Sequence, residues 1–175
     1  MHEFSGTFAW LHPDRETLIK MLEWLEDNEV EEPCITQYGR HLHTTIYNHG
    51  YEIFVPRKKL EKPIVINPDQ MRYANRQGKF MVEFTTPTIR NYAKKFVCQI
   101  PGIDMEDWES KWIPHMLLSI RPRRTPMKKP IDFPITFVGQ NSSPRIKTKA
   151  DYIEETISRN VPQSRKNHIV KLMES

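Results

Sequence analysis

Apolar and polar positions alternate from Glu3 to Leu11, with Phe4, Gly6, Phe8 and Trp10 on one side and Ser5, Thr7 and Ala9 on the other. This aromatic-rich period of two predicts a strand. The period then changes. His12-Pro13-Asp14 opens a segment in which Leu18, Met21, Leu22 and Leu25 recur at helical spacing. An amphipathic helix is predicted over 14–28, with proline and acids in its first turn and Pro33 beyond its end. Further strands are predicted over 41–48, 51–55, 63–66, 79–84, 111–120 and 133–138. The first two of these are expected to pair across the turn residues Asn48-His49-Gly50. A second helix is predicted over 88–99, opening after Pro87, with Ile89, Tyr92, Ala93, Phe96 and Val97 on one stripe. Asn141-Ser142-Ser143-Pro144 breaks the last strand, and 149–159 and 163–173 read as two short helices. Strands grouped around two helices argue an α+β fold rather than a doubly wound sheet. The expected organisation is one domain over 1–144 and a helical C-terminal extension over 145–175.

The chain of 175 residues is long enough to bury a core without disulfide or metal staples. No apolar run approaches ~18 residues, so no transmembrane helix is expected. Met1-His2-Glu3-Phe4 lacks the basic and apolar regions of a secretory leader. Cys34 and Cys98 stand far apart and form no Cys-x-x-Cys, which argues against a zinc site and for a reducing, cytoplasmic location. No cofactor is called for, and the absence of G-x-x-x-x-G-K excludes the phosphate-loop route to nucleotides.

Net charge is only +4, but it is unevenly placed. Residues 14–32 hold eight acids against Arg15 and Lys20, whereas 121–130 hold five basic residues and no acid. Residues 145–175 carry seven basic and four acidic groups. A basic loop steers phosphates toward itself, or it is simply a solvated surface loop.

Seven histidines are present, and two lie inside apolar strands: His43 in Leu42-His43-Thr44-Thr45-Ile46 and His115 in Pro114-His115-Met116-Leu117-Leu118-Ser119. Residues two apart on a strand share a face. His43 therefore shares one with Thr45, and His115 with Leu117 and Ser119. An imidazole moves protons near neutral pH, and a hydroxyl two residues on can hold a non-bridging phosphate oxygen. Two such strands side by side would bracket one phosphodiester, with one histidine deprotonating the nucleophile and the other protonating the leaving oxygen. No metal is needed for that chemistry. Taken singly, each histidine also has a structural reading.

Two strand-borne His-x-Thr/Ser motifs about 70 residues apart, each after a strand–helix block, resemble the 2H phosphoesterase superfamily over residues 3–140. The first motif matches as His43-Thr44-Thr45-Ile46. The second departs from the usual His-Ile-Thr-Leu-Ser, since Leu117 stands where threonine or serine is expected. The opening Phe4-Ser5-Gly6-Thr7-Phe8-Ala9-Trp10-Leu11-His12-Pro13 resembles the phage anti-CBASS phosphodiesterases, which hydrolyse cyclic di- and trinucleotide signals.

The resemblance implies a duplicated, two-lobed fold with antiparallel sheets. It implies His43 and His115 as the proton-transfer pair, Thr45 on a phosphate oxygen, a cyclic di- or trinucleotide substrate, and the cytoplasm of an infected host as the place of action. An aromatic near the end of the first strand would stack on a base; Trp10 is the candidate, with core packing as its other reading. Gln140, after the basic loop, is a candidate reader of a base edge. With Leu117 in the second motif, Ser119 lies ~6.6 Å along the strand, and Arg121, Arg123, Lys128 or Lys129 is expected to supply the missing phosphate contact. Two other readings stay open: an RNA-end 2′,3′-cyclic phosphodiesterase, and a protein that sequesters a cyclic nucleotide without cleaving it.

Overall fold

A computed structural model describes residues 4–34 and 42–147. Within them the chain is α+β: one seven-stranded antiparallel sheet with three α-helices. Strand β1 (Phe4–Pro13) leads into α1 (Arg15–Asp27), then β2 (Thr44–His49), β3 (Lys58–Ile66), the hairpin β4 (Met71–Arg76) and β5 (Lys79–Phe84), α2 (Thr88–Val97), α3 (Met105–Lys111), β6 (His115–Ser119) and β7 (Ile135–Ile146). The strand order is β3-β7-β1-β2-β6-β5-β4, which puts β2 and β6 side by side near the middle. A strand–helix–strand unit occurs twice: β1 and β2 are antiparallel neighbours joined through α1, and β5 and β6 are antiparallel neighbours joined through α2 and α3.

One face of the sheet is the core. Ala9, Leu11, Ile46, Phe80, Val82, Phe84, Met116, Leu118 and Phe137 are buried on it or beside it, with Met21, Trp24 and Leu25 of α1 and Ile89, Ala93 and Phe96 of α2. Asp14 caps α1, its carboxylate accepting from Thr17 N at 2.8 Å, a contact of the kind that stabilises by about 1 kcal/mol. Trp24 is buried against Tyr73, ring centroids 5.9 Å apart, and its indole donates to Lys129 O at 2.8 Å. Gly6 is required where β1 passes under the β2 turn: its φ is +88°, and a Cβ there would lie 2.0 Å from His49 O.

Several sequence expectations change. Segment 51–55 forms no strand with β2. Side chains fasten it instead: Ile53 N and O both bond Thr7 Oγ1, and Val55 O accepts from Ser142 Oγ. The expected strand 111–120 is shorter, because α3 occupies Met105–Lys111 and the strand begins only after Pro114. Strand β4 and helix α3 were not expected. Strand β7 continues through Asn141-Ser142-Ser143-Pro144 to Ile146 rather than breaking there, so the boundary expected at 144 falls inside it. Beyond Gln140 it is paired on the β1 side alone, where a strand tolerates proline. The helices expected over 149–159 and 163–173 lie outside the described residues. Among the described residues, no helix is long and apolar enough to cross a membrane.

Candidate active site

The sheet's other face carries the candidate histidines. Directly opposed residues in an antiparallel pair point the same way. Thr44 of β2 pairs with Met116 of β6, so Thr45 comes level with His115, and His43 with Leu117. Following the register outward, Trp10 lies opposite both Thr45 and Asn141, while Glu83 lies opposite both His115 and Arg72. One row across six strands thus reads Asn141, Trp10, Thr45, His115, Glu83, Arg72. The next reads Gly139, His12, His43, Leu117, Met81, Ala74, with His12 and His43 one step past the last β1–β2 pair. Trp10, His12, His43, Thr45, His115 and Leu117 are all half-buried. They form an open surface facing away from the helices.

His43 and His115 are diagonal neighbours across β2 and β6, a relation that in regular antiparallel pairs spaces Cα atoms ~7–8 Å apart. His43 packs edge-on to two aromatic rings, Phe8 at 6.0 Å and Trp10 at 6.1 Å between centroids. Phe8 and Trp10 stack on each other at 5.1 Å. The ring of His115 is oriented by the backbone just ahead of its strand: Nδ1 donates to Ile113 O at 3.1 Å, which leaves Nε2 as the nitrogen that can meet a ligand.

His12 was expected only to open the first helix, yet its ring joins this surface. It lies on Gly139, where a Cβ would come within 2.2 Å of His12 Cε1. Asn141 Nδ2 donates to His12 Nδ1 at 2.9 Å, placing the ring proton on Nε2. Burial pulls the His12 pKa below its ordinary value, favouring the neutral imidazole. At the far side, Glu83 is only 1% exposed and is held by Arg72 Nε at 2.8 Å and Arg76 Nε at 2.5 Å. Those two arginines keep its carboxyl below the usual carboxylate range.

The remaining expected site residues lie elsewhere. Ser119 does not share the face of His115. The register shifts between Phe80 and Met81, so Ser119 falls opposite Phe80 on the core side. Its buried hydroxyl donates to Glu31 O and accepts from Arg121 N. Arg121 pairs with Glu32 at 3.0 Å. The Arg123 guanidinium donates to Asn28 O, Thr125 O and Pro126 O. With Lys128 on Glu29 at 2.9 Å and Lys129 on Asp132 at 3.1 Å, four of the loop's five cations are engaged. The basic loop is therefore docked on the acidic end of α1, around a cavity of about 380 Å³ that Glu29, Glu31, Ser119, Arg121 and Arg123 help to line. Gln140 also lies away from this face. It is 1% exposed on the core side, bonded to Tyr92 Oη and, through Nε2, to Pro56 O at 2.8 Å. It clamps α2 to the sheet and has no edge to offer a base.

Burial pushes the Cys34 thiol up, away from a nucleophilic thiolate. No three His, Cys, Asp or Glu side chains gather as a metal site among the described residues. In comparisons with known proteins, the sequence matches no family model and no curated protein.

Proposed function

We propose that the chain is a metal-independent phosphodiesterase of the 2H class that hydrolyses cyclic oligonucleotide signals and so counteracts CBASS antiviral immunity. The observation carrying the chemistry is the register Thr44–Met116, which sets His43, Thr45 and His115 on one open face of two adjacent central strands. The repeated strand–helix–strand unit, with His43 just before one inner strand and His115 opening the other, supports the duplicated two-lobed fold. The stacked pair Phe8 and Trp10 beside His43 supports a ligand that carries bases.

In this reading a phosphodiester sits over β2 and β6. One imidazole takes the proton of the attacking hydroxyl, from water or a ribose 2′-OH, as its oxygen bonds to phosphorus. The other gives a proton to the departing ribose oxygen as the P–O bond breaks. His115 acts through Nε2 in either role, because Nδ1–H is committed to Ile113 O. The Thr45 hydroxyl donates to a non-bridging oxygen as negative charge grows there.

Leu117 beside His43 gives one specific reason for the rival reading, a binder that sequesters the same ligand uncleaved. Incubating the protein with cyclic di- and trinucleotides in EDTA and separating the products by chromatography tests both. Linear or 2′,3′-cyclic-phosphate products support the phosphodiesterase. Ligand that binds and is recovered intact selects the sequesterer. Neither binding nor turnover overturns both.

A further inference from the structure

We propose that Arg72 and Arg76 form a second anion site beside the histidine pair, which takes a phosphate of the ligand other than the one being cleaved. The proposal rests on the phosphodiesterase reading for the identity of the ligand, but not for the existence of the site.

The register supplies the placement. Arg72 lies opposite Glu83, which lies opposite His115, all on the open face. Arg72 is therefore two strands from His115, ~10 Å at ordinary strand spacing. Arg76 is on the same face of β4, and the residue between them on that face is the small Ala74. The hairpin so presents two long cationic side chains with a notch between them.

Charge argues that the pair has more to do than neutralise Glu83. The carboxylate is 1% exposed, and one guanidinium would balance it. Two leave a net positive charge on the surface. Both arginines approach Glu83 through Nε, with a further bond from Arg76 Nη2 to Oε1 at 3.1 Å. Both Nη groups of Arg72 and Nη1 of Arg76 make none of the hydrogen bonds to Glu83, and the two side chains are 53% and 52% exposed. The buried carboxylate fixes the Nε edges and so orients the outer donors, as a pre-organised fork for phosphate requires. With the loop 121–130 docked on α1, the register leaves Arg72 in the row of His115, with Arg76 further along the same face of β4.

Two measurements test it. In the first, inorganic pyrophosphate is titrated while the arginine Nε–Hε NMR signals are followed. The signals of Arg72 and Arg76 are expected to shift saturably, whether or not the protein cleaves anything; signals that stay put overturn the site. In the second, the variant Arg72→Gln/Arg76→Gln/Glu83→Gln, which removes the site's net positive charge and leaves no buried unpaired carboxylate, is compared with wild type. Its KM for a cyclic dinucleotide should rise on the order of 10–100-fold, while kcat on the same substrate stays within about twofold, as loss of a contact remote from the reacting phosphate requires. Unchanged KM, or a loss in kcat as large as the rise in KM, overturns the proposal while leaving the phosphodiesterase reading in place. Pyrophosphate binding without cleavage of any cyclic nucleotide leaves the site standing and removes that reading.

Discussion

Thr44 of β2 lies opposite Met116 of β6, and this one pairing decides what faces what on the candidate site. It sets both side chains into the core, where each is fully buried, and turns their neighbours His43, Thr45, His115 and Leu117 outward. A slip of one residue would send the histidines into the core.

Trp10 stands level with Thr45 on the open face and half-buried, a position for stacking on a base. Trp10→Ala is expected to raise KM for a cyclic dinucleotide on the order of 10–100-fold, the loss of a base–aromatic stack, with kcat changed far less. Steady-state kinetics checks this. An unchanged KM with a lowered melting temperature would instead make Trp10 a packing residue.

Ser119 has the opposite profile. Ser119→Ala removes the partner of Glu31 O and Arg121 N on the core side. Denaturant unfolding should show a loss of ~1–3 kcal/mol, the cost of leaving buried polar groups unsatisfied. The activity of the folded fraction should hold. Lost activity at unchanged stability would return Ser119 to the phosphate site.

Gly139→Ala tests the placement of His12. A Cβ at 2.2 Å from Cε1 cannot coexist with the ring where it lies, so the imidazole must move and release Asn141. The His12 ring signals in a proton–nitrogen NMR spectrum should shift to the positions of a solvated histidine, and stability should fall by ~1–3 kcal/mol. Unperturbed His12 signals would contradict the described contact.

Two groups give stability an acid-side dependence. The folded-state pKa of His12 is lowered by burial, so the unfolded chain binds more protons below the ordinary value of 6.5, and stability declines as pH falls from there. The carboxyl of Glu83 is lowered by Arg76 and Arg72, so its contribution is present above the ordinary 4.5 and is lost as pH falls through the folded value. Chemical unfolding between pH 8 and pH 3 should show both declines. His12→Asn should flatten the first and Glu83→Gln the second.

The sequence made the alternation of β1, the stripes of α1 and α2 and the strand-borne histidines legible, because each is a local pattern. What it hid depended on distant partners. Ser119 shares parity with His115, and only a bulge against β5 turns it inward. Five cations in ten residues read as an exposed phosphate-steering loop, but the groups that meet three of them, the Glu29 and Glu32 carboxylates and Asn28 O, sit about ninety to a hundred residues earlier. Gln140 ends a basic-flanked segment, yet the docking of α2 covers it. His12 looked like part of a helix start; its ring joins the open face because Gly139, distant in sequence, leaves space for it. Arg72 and Arg76 give no sequence signal, because β4, half polar and short, carries no strong apolar pattern of its own.

The most direct test of the account is the initial rate of cyclic dinucleotide hydrolysis in EDTA by wild type, His43→Ala and His115→Ala, each checked for native melting. The account predicts turnover by wild type and a loss on the order of 10²–10⁴-fold in either variant, the range for a general acid or base. Wild-type turnover that survives both substitutions would contradict it.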